Sequence, residues 1–166
     1  MRSSVDRLIE TLDQFFAKGE WGLIPTLLST VKDLTPAQAA WKPVPQRKSI
    51  WQNVNHIAFW LEYMTSRMAG EPPRPPGWHV DLDWREIVEV NEEAWRAAIQ
   101  RLIDAHTAVK AQLVTITDEQ LDRPVVGRRR PVSLYGWIQR IIAHNTYHCG
   151  QIRYLRALQG LDRQEL

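Results

Sequence analysis

The chain is short of the features that mark secreted, membrane-spanning and nucleic-acid-binding proteins. It has one cysteine in 166 residues, which excludes an intramolecular disulfide. No segment approaches the roughly 18 uninterrupted apolar residues of a membrane span, and residues 1–7 lack the apolar stretch of a signal peptide. A formal net charge of +2 is too small to argue for nucleic acid or an anionic membrane as a partner. We therefore expect a cytoplasmic protein with no nucleic-acid or membrane partner.

Strand patterns are missing as well, whereas the helical period of apolar residues recurs along the chain. A first helix is predicted at about 4–17, with a second helical piece at 23–31. Three further helices are predicted: one from Ser49 to Gly70, one that begins near Asn91, and one from Ser133 to Gly160. The serines are capping residues at which helices commonly begin, and the glycines are residues at which they commonly end. The sequence therefore predicts an all-α fold. Its length and 44% hydrophobic content suggest a single domain, residues 1–166.

The most informative pattern is a pair of histidines, His144 and His148, in the last predicted helix. Four residues apart on a helix, two imidazoles lie on one face about 5–6 Å apart at Cβ. The same face carries Trp137, Ile141 and Ile152, so both histidines fall within an apolar stripe. An unpaired polar group there costs a few kcal/mol. The spacing suits two ligands of one metal ion, although hydrogen-bonded core histidines are the alternative.

Two imidazoles are too few for a tight metal site, and His56 is the best candidate for a third ligand. It lies beside the main apolar face of the second long helix and shares its side with Gln52, Trp60 and Tyr63. Such an amphipathic cluster is typical of a pocket wall. A histidine at a helix–helix contact is the alternative for His56 taken alone.

With these motifs in view, the chain resembles the DinB-like (DinB/YfiT) superfamily. The resemblance is carried by Ser49-Ile-Trp with Asn55-His-Ile-Ala-Phe-Trp60, and by His144-Asn-Thr-Tyr-His-Cys-Gly-Gln-Ile152. Residues 34–38, 41–43 and 116–121 also fit. The resemblance implies an up-down four-helix bundle with long crossover connections. It also implies one divalent metal ion (Zn, Ni, Fe or Mn) held by three histidines, which map onto His56, His144 and His148.

The resemblance also sets the order of the functional hypotheses. Characterised relatives include metal-dependent S-transferases that use low-molecular-weight thiols, so transfer of a thiol to an electrophilic substrate is the leading one. A metal-dependent hydrolase is the second, and a non-catalytic metal-binding stress protein is the third. A di-iron protein is excluded because no Glu stands three residues before a His, and a zincin-type protease because the motif lacks its Glu.

Several side chains are candidates for supporting roles, each with a plain structural alternative. Gln151 could orient a ligand or contact substrate, and an amide that only packs between helices is the equal alternative. Tyr147 and Tyr63 could donate a proton, although a buried tyrosine is more often structural. His106 is expected to be a satisfied core histidine rather than a ligand. The run Arg128–Arg130 could bind an anionic thiol, although a charged loop is usually solvated. Cys149 points away from the ligands, and His79 is expected to be exposed.

The second long helix is apolar over more than one face, because Trp51, Phe59 and Met68 widen its hydrophobic surface. A homodimer that covers this surface is therefore expected, as is common in the superfamily that the chain resembles. The competing interpretation is that the loop at 78–84 folds over the same surface within one chain.

Overall fold

The computed structural model describes residues 2–19, 24–125 and 132–161. Its helices are α1 (Ser4–Asp13), α2 (Leu27–Thr30), α3 (Pro36–Ala40), α4 (Ile50–Met68), α5 (Glu92–Leu113), α6 (Asp118–Leu121) and α7 (Leu134–Leu158). Outside them, the described residues contain one isolated β-bridge, between Pro124 and Ser133, and no strand. The predicted all-α fold is confirmed: a four-helix bundle whose long members are α1, α4, α5 and α7, joined by long connections.

The two helices that carry the histidines begin where the sequence predicts. Ser49 caps α4 in a reciprocal arrangement, accepting from the backbone N–H of Gln52 while the Gln52 side chain accepts from the Ser49 N–H. Ser133 caps α7 by accepting from the N–H of Gly136. Gly160, with φ of 67°, follows the end of α7 in the left-handed conformation that glycine adopts without strain.

The first part of the chain differs from the prediction in two ways. The predicted first helix is α-helical only to Asp13 and continues as a π-helical turn, Gln14–Lys18, which ends at Gly19 with φ of 61°. The second helical piece, predicted at 23–31, is limited to Leu27–Thr30 in the described residues. The cause is local, since Thr26 caps that short helix from an extended conformation.

One continuous apolar core holds the bundle together, and α4 lies at its centre. Ile50, Val54, Ile57 and Leu61 are fully buried along α4, as are Leu102 and Val109 of α5 opposite. This core is independent of the histidines. It therefore gives α4 and α7 fixed positions from which their polar side chains can meet.

Much of the wide apolar surface of α4 is covered within the chain. Trp51 is 3% exposed and packs on Trp95 of α5, with ring centroids 5.1 Å apart. Phe59 stacks on Trp78 of the connection between α4 and α5, at 5.2 Å. The loop at 78–84 thus covers part of the surface from which a dimer was predicted. Association itself stays a prediction.

Candidate metal centre

The structure brings His56 of α4 together with His144 and His148 of α7. The His144 Nε2 atom lies 3.0 Å from Nε2 of His56 and 3.1 Å from Nε2 of His148. Nitrogen ligands about 2.0–2.1 Å from one ion, at tetrahedral or octahedral angles, are separated by about 2.8–3.4 Å. The spacing of these imidazoles therefore fits three ligands of one metal ion, and the three residues could hold one.

Each ring is oriented by an oxygen atom on its far side. The Nδ1–H of His56 donates to Oδ1 of Asp83 over 2.6 Å, and that of His148 to Oδ1 of Asn53 over 2.8 Å. His144 makes a longer contact of 3.3 Å from Nδ1 to Oδ1 of Asn145. The proton of each imidazole is thereby assigned to Nδ1, because an oxygen acceptor faces that atom.

The hydrogen bonds of Asn53 fix the orientation of its side-chain amide, because exchanging Oδ1 and Nδ2 would lose both of them. Its Nδ2 donates to the backbone oxygen of Ser49 over 2.8 Å, so its Oδ1 must face His148. With protons on all three Nδ1 atoms, three Nε2 lone pairs point at one another at about hydrogen-bond distance, with no hydrogen between them. Such an arrangement is repulsive unless a cation lies among the lone pairs. Metal-ligating histidines normally donate such a hydrogen bond from the ring nitrogen that does not bind the metal, which here is Nδ1.

The electrostatics of the three histidines favour the neutral form that a metal requires. Burial, together with the neighbouring His144 and His56, lowers the pKa of His148 to about 3. Burial also lowers the pKa of His144 and of His56, although Asp83 opposes the shift at both. Neutral imidazoles at physiological pH are ready to bind a cation without first losing a proton.

Asp83 and Trp84 belong to this centre, and the sequence interpretation missed both. Asp83 is 8% exposed, and its carboxylate also accepts from Trp60 Nε1 at 3.1 Å and from the Trp84 N–H at 2.9 Å. The Trp84 ring stacks on His56 with centroids 3.9 Å apart. The only signal in the sequence was an acidic residue among aromatics in a proline-rich connection, Trp78-His-Val-Asp-Leu-Asp-Trp84, where two aspartates were equally eligible.

Two clefts open on either side of the three histidines. The larger, about 740 Å³, is lined by His148 and His56, by the loop before α4, and by α7 as far as Leu158. We call it the cationic cleft because its charged side chains, among the described residues, are Arg47 and Lys48. The other, about 580 Å³, we call the tryptophan cleft; it is lined by His144 and His56 and by three indoles: Trp60, Trp84 and Trp137.

A comparison with known protein families covers most of this chain. The model of the DinB superfamily matches residues 24–152, which include all three histidines. The chain belongs to the DinB superfamily. No curated protein matches it in sequence.

Two solved structures resemble this DinB-superfamily chain. One is YfiT from Bacillus subtilis, described as a probable metal-dependent hydrolase with an unusual four-helix bundle topology. It is 20% identical, with a TM-score of 0.69 over 98% of this chain and 92% of YfiT. The other is a conserved protein from Enterococcus faecalis, also 20% identical, with a TM-score of 0.65 over 95% of this chain and 98% of that one. At this identity the likeness shows the shared fold.

The other candidates of this DinB-superfamily site lie at different distances from it. Tyr147 and Gln151 both line the cationic cleft, and Gln151 Nε2 donates to the Tyr147 hydroxyl over 2.9 Å. Tyr147 is 63% exposed, so its hydroxyl is accessible. Tyr63 lines neither cleft; it packs between Trp78 and Trp137, with centroids 4.8 and 6.3 Å away.

Three further predictions concern polar residues outside the histidine centre. His106 is held elsewhere, as predicted: its Nε2–H donates to Asp13 over 3.0 Å and its ring stacks on Phe16. Cys149 is buried, and burial raises the pKa of its thiol to about 12, which does not suit a nucleophile. His79 was predicted to be exposed, which is wrong; it is half-buried beside Trp60 and lines the tryptophan cleft.

The run Arg128–Arg130 lies outside the described residues. Within the described part of the chain, no helix combines the length and the apolar character needed to cross a membrane.

Proposed function

We propose that this protein is a metal-dependent enzyme that transfers a low-molecular-weight thiol to an electrophilic substrate. His56, His144 and His148 would hold one divalent ion. The observation that carries the proposal is the convergence of three unprotonated Nε2 atoms, those of His56 and His148 lying within 3.1 Å of that of His144.

A three-histidine site leaves coordination positions open for a substrate. When bound, a divalent ion would lower the pKa of a thiol or of water beside it. The chain itself supplies the rest. It keeps the imidazoles neutral, orients them through Asp83 and Asn53, and leaves a cleft on each side of them.

The choice of a thiol over water rests on the absence, among the described lining residues, of a free carboxylate that could act as general base. Among the described residues that line the two clefts, Asp83 is the only carboxylate. Both of its oxygens accept hydrogen bonds, from His56 and from Trp60. A thiol has an ordinary pKa near 8.5 and loses its proton readily near a cation. Water is a far weaker acid, so its activation gains more from a nearby base.

A hydrolase is the second candidate. Its support is that YfiT, which shares the fold, is described as a probable metal-dependent hydrolase. The exposed hydroxyl of Tyr147, on the rim of the cationic cleft, is one available proton donor for a leaving group.

Reloading the protein with Zn, Ni, Fe or Mn separates these candidates. Each form is tested for consumption of a panel of small thiols with monobromobimane, and for cleavage of p-nitrophenyl acetate. We expect metal-dependent thiol consumption that is lost in His148→Ala and kept in His106→Gln, which alters a buried histidine outside the site. Ester cleavage alone, with the same dependence on His148, would favour the hydrolase. Stoichiometric metal binding with neither activity would favour the third hypothesis, a non-catalytic metal-binding protein.

A further inference from the structure

The histidine centre lies between two clefts of different chemistry rather than at the bottom of one. His148 lines only the cationic cleft and His144 only the tryptophan cleft, whereas His56 and Trp84 line both. At about 740 and 580 Å³, each cleft lies within the roughly 300–1,000 Å³ of small-molecule sites. A single small substrate needs one such cleft.

We propose that the two clefts hold the two substrates of the transfer separately. The cationic cleft would bind a low-molecular-weight thiol that carries a carboxylate, and the tryptophan cleft a compact apolar electrophile. The inference rests on the proposed function, because it assigns the two partners of that reaction to different surfaces of the same site.

The charges of the cationic cleft select the anionic partner. Arg47 and Lys48 stand on its rim, and no carboxylate is among the described residues that line it. The Nζ atom of Lys48 lies 5.6 Å from the centroid of the Trp84 ring, which itself stacks on His56. The nearby carboxylate of Glu86 is held by Lys42 at 2.5 Å. A carboxylate bound at Lys48 would therefore lie beside the indole that stacks on His56, on the side of the centre that His148 lines.

The lining of the tryptophan cleft selects the other partner. Besides the indoles of Trp60, Trp84 and Trp137, it presents the aliphatic side chains of Val80 and Ile141. Its polar lining outside the triad is His79, the exposed Arg140 and Asp83. Its carboxylate, Asp83, has both oxygens occupied by His56 and Trp60. Flat indole faces and methyl groups favour burial of an apolar body over that of a charged one.

The two-sided arrangement also fits the chemistry of displacement at carbon. The thiol loses its proton to solvent, its sulfur forms a bond to the electrophilic carbon, and the bond from that carbon to the leaving group breaks. The leaving group departs with the electron pair. Entry from the cationic cleft places the leaving group on the far side, in the tryptophan cleft.

Substitutions confined to one cleft test the assignment. The double change Arg47→Gln with Lys48→Gln should weaken binding of glutathione about three- to tenfold, the scale of two partly screened ion pairs, and leave neutral 2-mercaptoethanol unchanged. Its control is Arg96→Gln, an exposed arginine on α5 that lines neither cleft. Val80 is an exposed lining residue, so Val80→Trp should narrow the opening of the tryptophan cleft and raise the KM for monobromobimane alone. Its control is Val88→Trp, in the same connection, where the side chain is 91% exposed.

A binding measurement makes the result independent of turnover. S-methylglutathione and unreactive syn-bimane are titrated by calorimetry into zinc-loaded protein, separately and together. The inference expects both to bind at once, each weakened only by the substitution in its own cleft. Competition for one site, failure of either ligand to bind, or loss of both from one substitution would overturn it.

The same data separate this inference from the proposed function. If both ligands bind independently but no thiol is consumed, the proposed thiol transfer is wrong and the two separate binding sites stand. If thiol is consumed but the ligands compete, the proposed function stands and the separate binding sites are wrong.

Discussion

Asp83, in the connection after α4, accepts a 2.6 Å hydrogen bond from Nδ1 of His56, although the two residues are 27 positions apart in the sequence. The contact fixes the tautomer and the ring plane of His56 from outside the triad. The same carboxylate binds the Trp84 N–H, so it also anchors the indole that stacks on His56. One side chain of a loop therefore sets the position of a helical ligand.

Asp83→Asn should weaken metal binding by about 10–100-fold, the usual effect of altering a residue that supports a metal-ligating histidine. The amide oxygen can still accept from His56, so the shape of the site is kept while the negative charge is lost. Competition with a chromophoric zinc chelator measures the change, and the exposed Asp81→Asn is the control in the same loop. Equal zinc affinity in the two variants would contradict this role of Asp83.

His148→Ala should abolish stoichiometric metal binding and leave the bundle folded. The apolar core does not depend on the histidines, so we expect unchanged helical circular dichroism and a loss of about 1–3 kcal/mol in the free energy of unfolding. Thermal and urea unfolding of the variant measure both. Unfolding of each of the three single-histidine variants would instead make the ion structural.

Much of this architecture could be predicted from the sequence, because it depends on local signals. The Ser49 and Ser133 caps and the four-residue spacing of His144 and His148 are short-range patterns, and the structure contains them. His56 could be found because it shares a helix side with Trp60. These signals suffice for α4 and α7, the helices that carry the triad.

The rest depended on contacts between distant segments. Asp83 reaches His56 only because the irregular connection folds back over α4, and no periodic pattern marks such a path. Two aspartates, Asp81 and Asp83, stand in that connection, and only the structure distinguishes the buried one from the exposed one. The π-helical turn after Asp13 likewise has no signal in the apolar spacing.

His106 should make the protein sensitive to mild acid. Burial lowers the pKa of His106 below the ordinary 6.5. At mildly acidic pH the unfolded chain therefore binds a proton at His106 that the folded chain does not bind. The Asp13 carboxylate opposes this shift and Lys110 adds to it. The free energy of unfolding therefore falls as the pH drops below about 6.5, by up to about 1.4 kcal/mol per pH unit for each such proton.

The slope of the free energy of unfolding against pH tests that prediction. In His106→Gln, the unfolding free energy of the metal-free protein should fall less steeply between pH 6.5 and 5 than in the unaltered chain. The triad histidines add the same dependence to both proteins, so the difference reports His106. Parallel curves would show that its protonation is not linked to folding.

The homodimer remains a prediction, and the apolar surface of α4 that could form its interface is smaller than the sequence indicated. Trp95 covers Trp51 and Trp78 covers Phe59 within one chain, so an interface would have to use what α4 still exposes. Light scattering at micromolar concentration should give twice the mass of the 19.3 kDa chain. A mass near one chain would rule out the dimer and favour closure by the loop at 78–84.

X-ray absorption of the protein reloaded with one equivalent of zinc tests the central claim most directly. We predict one tightly held ion with three imidazole nitrogens at about 2.0–2.1 Å in the unaltered protein, and no stoichiometric ion in His148→Ala. An ion bound through fewer than three imidazoles in the unaltered protein, no stoichiometric binding to it, or the same three-imidazole spectrum in His148→Ala would contradict this prediction.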